Sequence, residues 1–267
     1  MTDSLRGFFE EIRTPDRTLV LINRSSPDAI RNLLGKLLDD QPVPVDELQR
    51  PEGEADIVAL VEDGKVIAQS TLDELLESIL QINSDLYKTG SRELDEISLP
   101  AVLSGLDEIP FRVRGYPASN KEKLLLITMS RVIERRAAES RGGTLRASFQ
   151  RLSRLTDEQG TRKVYEQVGE SGTNVHVYGV DDWTPPETFP MRVHTGDSFA
   201  YRRSWFVVFT PPEEADQSAS AAADQPASST GHAALVALED EPNLWDGFWT
   251  FRPEFVTRIE NYIATSL

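Results

Sequence analysis

The chain has 267 residues and a formal net charge of −16, from 44 acidic against 28 basic side chains, and it has no cysteine. The missing cysteine excludes disulfides, thiolate nucleophiles and cysteine-held zinc or iron–sulfur centres. No apolar run approaches the ~18–20 residues of a membrane span, and residues 1–16 lack a signal-peptide core, so a cytoplasmic chain without membrane association is expected.

The first predicted element is a buried strand at 18–24, TLVLINR. A helix over 25–40 follows, with Ser26 as N-cap, Pro27 at its first position and Asp28 in its first turn. Residues 56–70, DIVALVEDGKVIAQS, read as a hairpin about Asp63-Gly64. A helix from Ser70 to a Gly90 cap completes a β-α-β-β-α unit, assigned to residues 1–95. A short helix is expected at 100–105 and a strand at 111–115.

Residues 119–143 carry a strong helix signal. Ser119 and Glu122 form a capping box, Leu125, Met129, Val132, Ile133 and Ala137 make an apolar stripe, and Gly142-Gly143 ends it. Leu145, Phe149, Leu152 and Leu155 repeat the spacing, which predicts a second helix. Thr156, Asp157 and Glu158 cap a third that carries Val164, Tyr165 and Val168. Beyond Gly172 the pattern turns to strands, at 174–180, 189–195, 201–209, 233–239 and 247–251. SWFVVF (204–209) and AALVALE (233–239) are apolar on both faces, so they are expected as central strands covered by helices. Pro253 begins a last helix. Residues 211–232 hold no aliphatic side chain beyond alanine and no aromatic, and read as a disordered insertion in a hairpin. The expected fold class is α/β in the α+β sense: a mixed, largely antiparallel C-terminal sheet packed with helices over 96–267, preceded by the small β-α-β-β-α unit.

Charge is unevenly spread. Residues 121–163 contain 11 basic and 5 acidic side chains, a local inversion in an acidic chain. Three readings compete for these arginines. They form a solvated or ion-paired helix face, with Glu134 three residues beyond Arg131. They line a pocket for an anion or polar ligand. Or they make a nucleic-acid surface, although no recognisable binding motif accompanies them. Only 6 of the 28 basic residues are lysine. High acidity, few lysines and no cysteine are what a halophile's cytoplasm would select, because high salt screens self-repulsion.

Chemical motifs are absent: no P-loop, G-x-G-x-x-G, G-x-S-x-G or H-E-x-x-H occurs. No cofactor is identified and an enzyme is not expected. His176 reads as a satisfied sheet histidine, and His194 and His232 flank loops without a carboxylate at metal-ligand spacing. Trp205, Phe206, Phe248, Trp249 and Phe251 are either sheet core or the walls of a pocket for a flat ligand.

Several of these segments together carry a resemblance. Ser130, Arg131, Ile133 and Glu134 on one helix, the Phe149-Gln150 pair, a helix ending near Tyr165 and the VHVYG strand are similar to the DICT sensory domain, named for diguanylate cyclases and two-component systems. WFVVF, ALVALE and GFWTF look like the closing sheet of the same family, so the resemblance spans about residues 100–267, in a halophilic archaeal type. It implies a non-catalytic signal-input module, acting in signal transduction or transcriptional control through a small-molecule ligand or a partner protein. This chain shows no kinase, cyclase or DNA-binding output segment. Output would then pass through a signalling partner or the N-terminal unit. Arg131, Glu134 and Gln150 are the candidate polar groups of a ligand pocket, with Tyr178 and Trp205 as walls; the same residues could instead clamp helices to the sheet. The alternative function is a nucleic-acid-associated regulator that uses arginine-rich helices over 120–155.

Overall fold

Two sheets organise the chain, and the alternation of side chains along their strands decides what each face meets. The computed structural model describes residues 4–25, 43–81, 94, 99–114, 124–157, 159–186, 190–212 and 231–267. The expected 25–40 helix, the Gly90 cap, the Ser119–Glu122 capping box and most of the 211–232 insertion lie outside them.

The described chain starts with one helical turn, α1 (Gly7–Glu10). The small sheet follows: β1 (Arg17–Ile22), β2 (Val45–Leu48), β3 (Ile57–Glu62) and β4 (Lys65–Thr71), in the order β2-β1-β3-β4. β1 runs parallel to β2 and antiparallel to β3. The β3–β4 hairpin turns where the sequence placed it. Asp63 (φ 50°) and Gly64 (φ 72°) are both left-handed, the requirement of a two-residue turn that matches strand twist. β2 was not foreseen; its VDEL sequence has no apolar alternation and sits at an edge, largely exposed. Next comes α2 (Leu72–Gln81). Its N-cap is Thr71, one residue later than expected: the Glu74 amide donates to Thr71 Oγ1 (3.1 Å) and the Thr71 amide to Glu74 Oε2 (2.8 Å).

The remaining elements build the large sheet and its cover. They are α3 (Ala101–Ser104), β5 (Phe111–Arg114), α4 (Leu124–Ser140), β6 (Thr144–Arg151), α5 (Arg154–Asp157) and α6 (Gln159–Glu170). Then follow β7 (Asn174–Val180), β8 (Arg192–Thr195), α7 (Phe199–Arg202), β9 (Ser204–Thr210), β10 (Ala233–Glu241), β11 (Leu244–Thr250) and α8 (Pro253–Ser266). The seven strands lie in the order β5-β11-β10-β9-β6-β7-β8. β6, β7 and β8 are mutually parallel and the other neighbours antiparallel. The fold is therefore mixed α/β with a mostly antiparallel main sheet.

One expectation is overturned here. Residues 144–151 form β6, a strand inside the sheet, instead of a second helix. The cause is an ambiguity of period. Leu145 and Phe149 are four apart, which suits one helix turn, but four is also an even number, so both point to the same face of a strand together with Ala147. Gly143 lets the strand come close to its neighbour. At φ 87° it lies against β9, and a Cβ there would sit 2.3 Å from the Thr210 carbonyl oxygen. The proposed pair of arginine-rich helices over 120–155 thus reduces to one helix, and Arg146, Arg151 and Arg154 belong to a strand, its end and a short turn of helix.

The large sheet is covered on both faces, as β9 and β10 required. On one face Leu145, Val177, Val207, Leu235 and Trp249 meet Met129, Ile133 and Ala137 of α4 and Tyr165 and Val168 of α6. On the other, Phe206, Val208, Val236 and Phe248 meet Phe255, Ile259 and Ile263 of α8. Phe8 of α1 joins this second layer edge-on to Phe255 (5.7 Å), and Arg258 pairs with Glu11 at 2.7 Å. The small sheet joins the first layer: Leu19, Leu21 and Leu60 share a cluster with Leu106 and Phe111, and α2 touches α4.

Candidate functional site

On α4, Ser130, Arg131 and Glu134 occupy the turn that lies over β6 and β9. Arg131 is only 3% exposed. Burying a guanidinium costs several kcal/mol unless partners replace its water, on the order of magnitude known for buried ions. Here NH1 pairs with the equally buried Glu134 and NH2 donates to Thr161 Oγ1 of α6 at 3.1 Å. The i,i+3 spacing on one helix face makes the pair, as the sequence indicated.

Beside it, Trp205 Nε1 of β9 donates to Ser130 Oγ (3.0 Å), which in turn donates to the Leu126 carbonyl (2.8 Å). A cavity of about 40 Å³ opens among these groups, lined by Ser130, Arg131, Glu134, Tyr165 and Trp205, with Arg154 of α5 also on its wall. Phe149 and Tyr165 meet edge to face at 5.1 Å along the apolar side.

Arg131, Glu134 and Trp205 are thus brought together as expected. Gln150 lies next to the cavity without lining it. Its backbone is left-handed (φ 56°) at a break in the β6–β7 register, which turns Nε2 to donate to the Ser204 carbonyl at 2.7 Å. Ser148 Oγ donates to the same carbonyl at 2.6 Å. Tyr178 is on the opposite face of the sheet, because it is one position out of phase with Val177 of the first layer. Ser148, Thr161, Tyr165 and Arg154 were missed as site residues. Ser148 was hidden by reading 144–151 as helix; Thr161 and Tyr165 are four apart on α6, a polar–aromatic pair on one face that the spacing alone could have flagged.

Tyr178 belongs to a second polar cluster. Arg146 Nε donates to Glu260 Oε1 of α8 (2.6 Å), and its NH1 reaches Tyr178 OH (2.6 Å) and His176 Nδ1 (3.1 Å). His176 Nδ1 also meets His194 Nε2 at 2.9 Å, and the His194 ring stacks on Tyr178 with centroids 4.4 Å apart. Burial, then the positive charge of Arg146, pushes His176 down to about 4; the same causes lower His194. Burial raises the Tyr178 hydroxyl above its ordinary value. His176 is the satisfied sheet histidine expected, and His194 lies in β8 instead of flanking a loop. Among the described residues no group of three or more metal-ligating side chains occurs.

The other arginines of the basic stretch have local roles. Arg135 pairs with Glu139 (2.7 Å), Arg162 with Glu166 (2.8 Å) and Arg151 with Asp182 (3.5 Å). These exposed pairs contribute about 0.2–1 kcal/mol each. Arg136 lies over the Phe251 ring at 4.3 Å, and burial lowers its pKa.

Residues 101–226 match the family model DICT, described as a sensory domain in diguanylate cyclases and two-component systems. All five sequence-predicted site residues fall within that span, which ends before β10, β11 and α8. No curated protein matches the chain. Among solved structures, a crystal structure of polyphosphate kinase from Porphyromonas gingivalis aligns with 96% of this chain and 47% of its own, at 9% identity and a TM-score of 0.35. The chain spans about half the length of that protein, and a likeness of this size carries no argument. Among the described residues no helix is long and apolar enough to cross a membrane.

Proposed function

From the match of residues 101–226 to the DICT sensory-domain family model, we propose that the chain is a non-catalytic signal-input protein whose stimulus is a small polar molecule held at the Arg131 cavity. The observation that carries this reading is the convergence of Arg131, Glu134, Ser130 and Trp205, from two elements far apart in sequence, on one opening beneath α4. At about 40 Å³ the opening has room for the head of a ligand or a few waters. The body of a larger molecule then rests outside, against the half-buried Trp205.

α4 is the element suited to pass the signal on. It borders the cavity through Arg131 and Glu134 and touches α2 of the small sheet. A ligand that shifts α4 by displacing the Trp205–Ser130 hydrogen bond changes what the small sheet packs against, and a partner protein reads that change. Native mass spectrometry of gently purified protein, followed by thermal-shift titration of whatever is retained, tests this. The expected result is a retained small molecule that raises Tm by several degrees in the native chain and by less in Trp205→Ala. Protein that retains nothing, and whose Tm is unmoved by a broad panel of small metabolites, contradicts it.

A further inference from the structure

The charge around the cavity is unbalanced. Arg131 and Glu134 cancel one another. Arg154 adds a second guanidinium on the same wall, half-buried, and among the described residues no ion pair or hydrogen bond engages it. Its neighbours show how unusual this is. Arg135, Arg151 and Arg162 each have an acidic partner, in a chain with 44 acidic residues from which partners are readily drawn. The cavity therefore keeps one positive charge and an unused fork of N–H donors.

The remaining groups narrow what this charge faces. Ser130 Oγ both donates to Leu126 and accepts from Trp205, and Ser148 Oγ donates to Ser204, so these two serine hydroxyls have committed their protons. Arg154 is a strong donor turned to a guest. Trp205, half-buried, supplies flat apolar surface beside it, with the buried Tyr165 behind it in the wall. Glu134 sets a limit on the guest's charge. A dianion, such as a phosphate monoester, adds a second negative charge in the same small space and is repelled, whereas a carboxylate matches both the single surplus charge and the guanidinium's paired donors.

Resting on the reading of this cavity as the input site, we infer that its ligand is a monoanionic carboxylate with a flat apolar body, gripped by Arg154 and stacked against the half-buried Trp205. Isothermal titration at fixed ionic strength with benzoate, its neutral isostere benzamide, and phenyl phosphate provides the test. Benzoate is expected to bind the native chain more tightly than either, to bind Arg154→Gln at least tenfold more weakly, and to recover part of that loss in Arg154→Lys. Because Arg154 bonds to no described residue, Arg154→Gln should melt with the native chain, which separates binding from folding. Benzamide binding as tightly as benzoate, or benzoate indifferent to Arg154→Gln, overturns the charge assignment. If benzamide binding is then lost in Trp205→Ala, the cavity survives as the input site while the carboxylate does not. No benzoate binding, with a neutral molecule retained in native mass spectrometry, has the same consequence. Failure of all three probes with nothing retained overturns both readings.

Discussion

Arg131 and Arg146 lie fifteen residues apart in the basic stretch, and both are buried, at 3% and 9% exposure, on opposite faces of one sheet. Their partners differ in kind. Arg131 has its carboxylate on its own helix, which spacing discloses. Arg146 draws Glu260 from α8 and His176 and Tyr178 from β7, contacts that only the assembled sheet creates. Arg146 also fixes the protonation of its neighbours, since its NH1 occupies the Nδ1 lone pair of His176, where a proton would have to go. Arg146, His194 and Arg192 act on that ring, with Glu260 and the Tyr178 hydroxyl bonded to Arg146, and the net effect of burial and the nearby cations is a pKa of about 4 against 6.5. Above pH 6.5 the ring is neutral in folded and unfolded chains alike, and no stability depends on it. As pH falls from 6.5 toward 4, the unfolded chain takes up a proton that the folded chain refuses, so stability declines and then levels below 4. Between pH 7 and 5 the native chain is expected to lose about 1 kcal/mol more than His176→Gln, after allowing for solvent screening. Urea denaturation of both proteins at the two pH values measures it. Equal losses would show that the ring carries no such penalty.

At the scale of elements, the junction of α4 and β6 decides the architecture. Gly143 was legible as a helix stop, but what followed it was not, because a repeat of four serves helix and strand equally. The tie is broken by β9, sixty residues later in sequence, against which β6 pairs from Thr144 to Ala147. The same logic explains what was legible. β9 and β10 announced their central place by being apolar on both faces, and the β3–β4 turn by Asp63-Gly64, both signals contained within one segment. The cavity was half legible for that reason: Arg131 and Glu134 share a helix, whereas Arg154 and Ser148 reach it only through the unforeseen strand, and Tyr178 was placed there only by ignoring its phase. Gly143→Ala tests the junction. Any alanine at a left-handed position costs about 1–2 kcal/mol. Gly64→Ala, at φ 72° with nothing within 4 Å of its Cβ, should cost no more than that. Gly143→Ala meets the Thr210 oxygen at 2.3 Å and should cost at least about 2 kcal/mol beyond it, on the scale of an overpacked interior. Matching urea midpoints for the two variants would mean that β6 and β9 are not held as closely as this.

For the molecule as a whole, the opposing quantities are a net charge of −16 and a set of surface ion pairs. Salt acts on them in opposite directions. At 0.1 M the Debye length is about 10 Å, so acidic side chains repel one another across much of the surface; at 1 M it falls to about 3 Å and that repulsion fades. The exposed pairs, such as Arg6–Asp240, Arg162–Glu166 and Arg258–Glu11, weaken over the same range, but each contributes about 0.2–1 kcal/mol at best. The buried Arg131–Glu134 pair and the Arg146–Glu260 pair, only 11% and 13% exposed at their side chains, are shielded from bulk ions and change little. Repulsion among an excess of sixteen negative charges outweighs a handful of weak attractions, so raising KCl from 0.1 to 2 M should raise Tm by several degrees, with most of the gain below 1 M where the screening length changes fastest. Calorimetry across a KCl series decides it. A Tm that falls with salt would place the exposed ion pairs above self-repulsion, and the acidic surface would then need a different explanation from screening.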